Sequence, residues 1–227
     1  MQRPRVRAIA FDFDGVLVES AEVKTNAFRA MFAMEGPAVV RDAVAYHVAH
    51  GGVSRMEKLR YVYAHILRRP LSEQHLQALC EQFQQLVLEP VIRAPWVEGA
   101  LEALKILRRR NHPLFVVSGT PEEELCLILQ RRGALRYFEA VYGSPRGKAD
   151  LLRWICATRG YQGPEMLMIG DSVTDYEASQ VVGARFLARA RAEQAAQWEP
   201  YGVLSVPDLR SLFPIIAQGD LQCAAAK

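Results

Sequence analysis

Apolar and polar positions in this chain repeat one arrangement three times: a short β-prone run, then a break of acidic, hydroxylic or glycine residues. Residues 6–13 (VRAIAFDF) run into Asp14-Gly15, Pro113 to Val117 into Ser118-Gly119-Thr120, and Met166 to Ile169 into Gly170-Asp171-Ser172. Runs this short, bounded by turn residues, predict buried strands that feed loops. A helical pattern follows each one. After Thr120, Pro121 is expected at the first helical position, with Glu122, Glu123 and Glu124 in the first turn, where negative charge suits the helix dipole. Ala140 to Tyr142 and Arg185 to Ala188 predict further short strands. Strand, loop and helix in alternation imply an α/β fold, a Rossmann-like parallel sheet core with helices on both faces.

Residues 20–89 break that alternation. Apolar residues recur there at three- and four-residue spacings over 20–34, 54–68 and 72–88, with almost no strand signal. Ser72, followed by Gln74 and His75, reads as a helix start. The expected organisation is a core built from residues 1–17 and 92–227 with an inserted helical cap domain at 18–91. Pro90 and Pro95 flank the return to the core, and the tail beyond Gln218 is expected to fray.

The chain has 227 residues, half of them hydrophobic, and a net charge of +3. That is an ordinary globular composition, large enough to bury a core. No basic stripe interleaved with aromatics is present, so a nucleic-acid partner is not expected. Arg108 to Arg110 and Arg131-Arg132 fall where helices end and complement their dipoles. The first apolar stretch is too short to span a bilayer and lacks a cleavage site, so no membrane role is expected. Cys80, Cys126, Cys156 and Cys223 are scattered without CxxC spacing, which suits reduced thiols in a cytoplasmic protein rather than disulfides or zinc.

Each of the three main runs delivers polar side chains at its carboxyl end: Asp12 and Asp14, Ser118 and Thr120, Asp171 and Asp175. In a parallel sheet those ends share one edge, where ligands bind. Carboxylates gathered that closely repel one another unless a cation bridges them, and all-oxygen ligands suit a hard ion such as Mg²⁺. Lys148 opens a helix that includes Leu151, Leu152 and Ile155, a place its dipole disfavours. An ammonium turned into the acidic crevice explains it; a solvated surface lysine is the competing reading.

In order along the chain, Phe11-Asp12-Phe13-Asp14-Gly15-Val16-Leu17, Val116-Val117-Ser118-Gly119-Thr120, Lys148 and Gly170-Asp171-Ser172-Val173-Thr174-Asp175 resemble the four motifs of the haloacid dehalogenase-like superfamily. The likeness is to its phosphatase branch, whose members include phosphoglycolate phosphatase and β-phosphoglucomutase. The resemblance implies that Asp12 is the nucleophile and Asp14 the acid and base. It further implies that Ser118, Gly119, Thr120 and Lys148 grip the transferring phosphoryl group. A Mg²⁺ cofactor is implied on Asp12, the backbone carbonyl of Asp14 and Asp171, with Asp175 in a supporting or water-mediated position. An acid two residues after the nucleophile suits an alkoxide leaving group, so the expected substrate is a small phosphate ester. Two departures stand out: Ala149-Asp150 follows Lys148 where relatives often carry proline, and Glu19-Ser20 replaces the common Asp-Ser.

Substrate choice is expected to come from the cap. In His47 to Lys58, Gly51-Gly52 breaks the helical pattern, and Ser54 with Glu57 reads as an N-cap. Arg55 and Lys58 then lie in a first helical turn that disfavours cations, so they are expected to face an anionic substrate; solubilising charge is the alternative. His50 is a further candidate contact, His47 is left as structural, and Lys24 on the first cap helix is a weaker candidate. A phosphomutase using the same aspartates and a non-catalytic phosphate-binding protein remain open as alternatives. A nucleotide-binding regulator lacks any GxxxxGK[ST] loop.

Overall fold

The computed structural model describes residues 5–218 and Leu221. Its sheet has six parallel strands, β1 (Ala8–Phe11), β2 (Leu114–Pro121), β3 (Ala140–Ser144), β4 (Met166–Gly170), β5 (Arg185–Arg189) and β6 (Ser205–Val206), in the order β3-β2-β1-β4-β5-β6. Side chains of a strand alternate between faces, and here both faces are buried. Ile9, Phe11, Val116, Leu167 and Ile169 belong to one hydrophobic cluster, while Ala8, Ala10, Phe115, Val117, Met166 and Met168 belong to the other. Successive strands go outward from β1 in one direction through β2 and β3, and in the other through β4, β5 and β6. The crevice between β1 and β4 is therefore the switch point at which open α/β sheets bind ligands.

Four helices intervene between β1 and β2 before the core resumes: α1 (Ala21–Met31), α2 (Pro37–Ala49), α3 (Arg55–Tyr61) and α4 (Glu73–Arg93). Ser54 and Ser72 cap α3 and α4 as expected, accepting from the backbone N–H of Glu57 and His75 at 3.3 and 3.2 Å. α3 continues as a wider turn over Val62–Leu67. The sequence pattern does not announce α2, because Ala43 is its one fully buried residue and its apolar stripe is correspondingly faint. The chain leaves and re-enters the core side by side: Glu19 N–H donates to Pro95 at 3.0 Å, and Val97 N–H to Leu17 at 3.0 Å. Arg132 secures this crossing. Its guanidinium lies 4.2 Å over Trp96 and donates to the carbonyls of Val91, Ile92 and Ala94, satisfying the open end of α4.

The core helices are α5 (Ala100–Arg109), α6 (Glu122–Arg131), α7 (Lys148–Arg159), α8 (Val173–Val181) and α9 (Leu212–Gln218). Pro121 does not open α6. It pairs in register with Ser144 as the last residue of β2 and stands before α6 with extended backbone, which the proline ring's fixed φ also permits. Leu221 is buried in the core, so the expected fraying does not hold at that position; residues 219–220 and 222–227, with Cys223, lie outside the described residues. Cys80, Cys126 and Cys156 are free thiols. Among the described residues no helix is long and apolar enough to cross a membrane.

Candidate active site

Hydrophobic β1 ends at Phe11, and its backbone direction carries Asp12 onto the sheet edge beside the end of β4. Asp12 N–H donates to Ile169 at 2.9 Å, while its Oδ1 accepts from Phe13 N–H at 2.7 Å. Gly15 turns the loop with φ +75, and a Cβ there would stand 2.1 Å from Asp171 Oδ2. Glycine thus lets the first loop pass directly against the carboxylate delivered by β4.

Asp12, Asp171 and Asp175 each offer an oxygen, and these lie within 4.8 Å of one another. Burial, with further repulsion from Asp12 and Asp175, raises the Asp171 carboxyl well above its usual range. Asp12 is raised to about 6, by burial first, then held back by Lys148 and pushed up again by Asp175 and Asp14. Three hard oxygen donors in mutual repulsion, with no soft ligand grouped with them among the described residues, fit a divalent cation of the Mg²⁺ or Ca²⁺ kind.

Lys148 is no surface lysine. It is 7% exposed and lies 2.8 Å from Asp12 Oδ2 and 2.6 Å from Asp175 Oδ1. Burial pulls its pKa down, but the two carboxylates outweigh this and leave it above the ordinary lysine value. The other oxygen of Asp175 accepts from Ser172 N–H at 3.2 Å and Ser172 Oγ at 2.5 Å. Asp175 thereby closes a capping box on α8 while anchoring Lys148. It stays within reach of the acidic cluster.

The Asp14 side chain is held apart from that cluster. It accepts from Ser20 Oγ at 2.6 Å, from Thr120 Oγ1 at 2.9 Å and from Lys24. Burial raises its carboxyl, yet Lys24 and these hydrogen bonds prevail and leave it below the ordinary aspartate value. Thr120, expected among the groups touching substrate, thus spends its hydroxyl on Asp14 and on Lys24 Nζ at 2.5 Å. Ser118 is 2% exposed, and its Oγ accepts from Thr120 N–H at 3.3 Å. Glu19 bonds Arg189 and, at 2.6 Å, Arg191, while Arg189 also donates to the Gly15 carbonyl at 2.9 Å. The longer acid at position 19 therefore ties the loop that follows Asp12 to β5.

The insert closes over this edge around a cavity of about 440 Å³. Gly51 and Gly52, which break the helical pattern in the sequence, bring its backbone against the core. Thr174 Oγ1 donates to Gly51 O at 2.5 Å, and a Cβ on Gly119 would stand 2.5 Å from Gly52 O. Gly119 is thus covered by the insert. Arg55 lines the cavity, but its guanidinium donates to both oxygens of Glu124 at 2.7 Å and stacks 4.8 Å from the centre of Phe83. The anion it faces is a core carboxylate, not open space. In the sequence Glu124 stands out only as a first-turn acid, since nothing local in α6 signals a partner in α3.

Lys58 reaches the cavity, 5% exposed, with His47 Nδ1 and His47 O each 3.2 Å from its Nζ. Burial and the neighbouring Lys24 and Lys148 lower it to about 7. His47, left as structural on the sequence alone, lies on the cavity wall stacked 4.3 Å from Phe28, and burial with Lys58 lowers it to about 3. His50 sits at the mouth, exposed, with Nδ1 2.9 Å from Tyr46 O and its ring stacked on Tyr46.

Residues 6–183 match the haloacid dehalogenase-like hydrolase family. The chain is 26% identical over 195 residues to a phosphoglycolate phosphatase of Chromobacterium violaceum, covering 83% of this chain and 86% of that one. Against β-phosphoglucomutase from Clostridium difficile the TM-score is 0.77 at 16% identity, covering 94% of this chain and 96% of the other. A point mutant of CbbY from Rhodobacter sphaeroides, in complex with xylulose-(1,5)bisphosphate, superposes with a TM-score of 0.70 at 16% identity, over 91% and 96% of the two chains. Motifs in order, strand ends gathered at one edge and a match over most of the sequence agree: the chain belongs to the haloacid dehalogenase-like hydrolase family.

Proposed function

We propose that this protein is a Mg²⁺-dependent phosphatase of small phosphomonoesters, with Asp12 as nucleophile and Asp14 as acid and base. One observation carries the reading. Two aspartates separated by a single residue are given opposite surroundings: Asp12 joins the acidic cluster and Lys148, while Asp14 is turned onto Ser20, Lys24 and Thr120. Held apart in this way, one carboxylate can meet a cation and phosphorus while the other can meet the leaving oxygen.

An Asp12 oxygen forms the new bond to phosphorus as the ester P–O bond breaks, and Asp14 gives its proton to the departing alkoxide. Water then attacks the aspartyl phosphate, Asp14 takes the proton, and Asp12 is released with inorganic phosphate. Lys24 favours the ionised Asp14 that the second step requires. Ser118, Lys148 and the backbone of Gly119 surround the phosphoryl oxygens. Asp12, Asp171 and the backbone of Asp14 would hold the cation, with Asp175 steadying Lys148 beside it; a bound Mg²⁺ supplies neutralisation of phosphoryl charge.

The phosphoglycolate phosphatase relatives support a small substrate. With Mg²⁺ and 2-phosphoglycolate or a sugar phosphate, free phosphate is expected to appear rather than an isomerised sugar. Acid quenching should trap phosphate on Asp12. Asp12→Asn should lower turnover at least about 10³-fold; a variant as active as the wild type would overturn the assignment.

A further inference from the structure

A second cavity, of about 530 Å³, lies at the opposite edge of the sheet, where the strands begin. Val6 lines it just before β1, Arg185 opens β5, and His112 stands between α5 and β2. A strand rises about 3.3 Å per residue, so roughly 20 Å of chain separates Val6 from Asp12. The walls carry charge of one sign. Arg5, Arg109, Arg110 and Arg185 line the cavity with His112, and no aspartate or glutamate does so among the described residues. Burial, and then Arg5, hold His112 below the ordinary histidine value.

The dipole of α5 favours cations at its end, but that end is already closed by backbone. Arg110 N–H donates to Ile106 at 3.1 Å, and Asn111 and His112 donate to Arg108 and Leu107, both at 3.0 Å. Arg132 spends its guanidinium on the carbonyls that end α4, whereas Arg109 and Arg110 give theirs to no carbonyl among the described residues. Arg110 lies 5.3 Å from the ring centre of Phe213. Arg5 comes from a different segment, and no carboxylate lies within 4.0 Å of Arg5, Arg109 or Arg110 among the described residues. Like charges converging on a concave surface focus a field that draws in a counter-ion.

We propose that this cavity is a second ligand site, remote from the candidate active site, that takes a diphosphate or triphosphate group. Guanidinium forks match phosphate oxygens two at a time. Here they arrive from the segment before β1 and from the end of α5, so a single phosphate engages only part of the set. The volume falls within the range of small-molecule sites. Phe213 and Ile216 add an apolar wall. The group can therefore come from a nucleotide, whose base would rest on that wall, or from free pyrophosphate.

Calorimetric titration of the full chain with pyrophosphate, ADP and inorganic phosphate tests this, in EDTA so that the candidate active site holds no metal. Pyrophosphate should bind with a Kd below about 100 μM, and at least about tenfold tighter than inorganic phosphate. ADP binding tighter than pyrophosphate supports the site with a nucleotide as the source, and equal binding supports it with free diphosphate. Arg5→Ser combined with Arg110→Ser, both at exposed positions, should weaken pyrophosphate at least about tenfold. Arg41→Ser combined with Arg153→Ser removes the same charge from exposed positions elsewhere and should change binding by less than about twofold. A Kd above about 1 mM for both pyrophosphate and ADP overturns the proposal. So does inorganic phosphate binding as tightly as pyrophosphate, or equal weakening in the two double variants. Phosphate release from esters with Mg²⁺ is a separate measurement, so failure here leaves the phosphatase reading intact.

Discussion

Asp14 shows how a side chain's surroundings set its ionisation. Burial alone would favour the neutral acid, but Lys24, Ser20 and Thr120 hold the ionised form. Asp14→Asn preserves the size and the hydrogen-bonding reach while removing the proton that the proposed reaction moves. Its expected effect is a loss of about 10²–10⁴-fold in turnover on an alkyl phosphate with Mg²⁺ affinity kept, measured by steady-state kinetics beside metal titration. His47 makes a separate point about pH. Its folded pKa of about 3 lies below the value near 6.5 of an unfolded histidine. Above pH 6.5 the ring is neutral in both states and contributes nothing to pH dependence. Below it the unfolded chain binds a proton that the folded chain refuses, so stability falls until pH reaches about 3. Wild type should lose up to about 2 kcal/mol between pH 7.5 and 5 that His47→Gln keeps. Urea unfolding at the two pH values measures the difference.

Among the elements, the strands were legible because β1, β2 and β4 are covered on both faces, and such strands read as unbroken apolar runs whatever lies around them. Lys148 was legible for the opposite reason: it violates a local preference at the start of α7, and the violation marked a site. α2 left a weak trace because it lies on one side of the insert with a shallow buried stripe, and Pro121 was misplaced because its ring suits both the end of a strand and the start of a helix. The Arg55–Glu124 pair joins residues 69 positions apart, and no local pattern encodes such a partnership. Gly51-Gly52 was visible only as a break. Its function as a contact lies in what is absent: a Cβ on Gly52, at φ +78, would stand 2.3 Å from Thr174 Oγ1 and 3.0 Å from Lys148 Nζ. Gly52→Ala should therefore destabilise the protein by about 1–2 kcal/mol and raise KM. Gly51→Ala, whose nearest neighbour is Ser172 Cβ at 3.0 Å, should be milder on both counts. Thermal unfolding and kinetics on one substrate separate the pair.

At the scale of the whole molecule, the sheet edge stores electrostatic tension that a bound divalent cation would relieve. Asp12, Asp171 and Asp175 crowd together with Lys148 as the ammonium bonded to two of them, and burial with repulsion from Asp12 and Asp175 makes Asp171 resist ionisation. An aspartate whose pKa is raised by folding is easier to ionise in the unfolded chain, so at neutral pH it weakens the metal-free fold. A cation bound only by the folded state reverses the balance, adding about 2.7 kcal/mol at a hundred times its Kd. Asp171→Asn separates the two effects. Without metal, the variant should melt about 2–4 °C above the wild type, because one repelling charge is gone. With saturating Mg²⁺ the order should reverse, since the wild type gains the full binding energy and the variant loses a ligand. Calorimetry of both proteins in EDTA and in Mg²⁺ reads this crossing directly. A variant less stable than the wild type in EDTA would show that Asp171 supports the fold itself, and that the crowding of carboxylates is not what the cation is there to resolve.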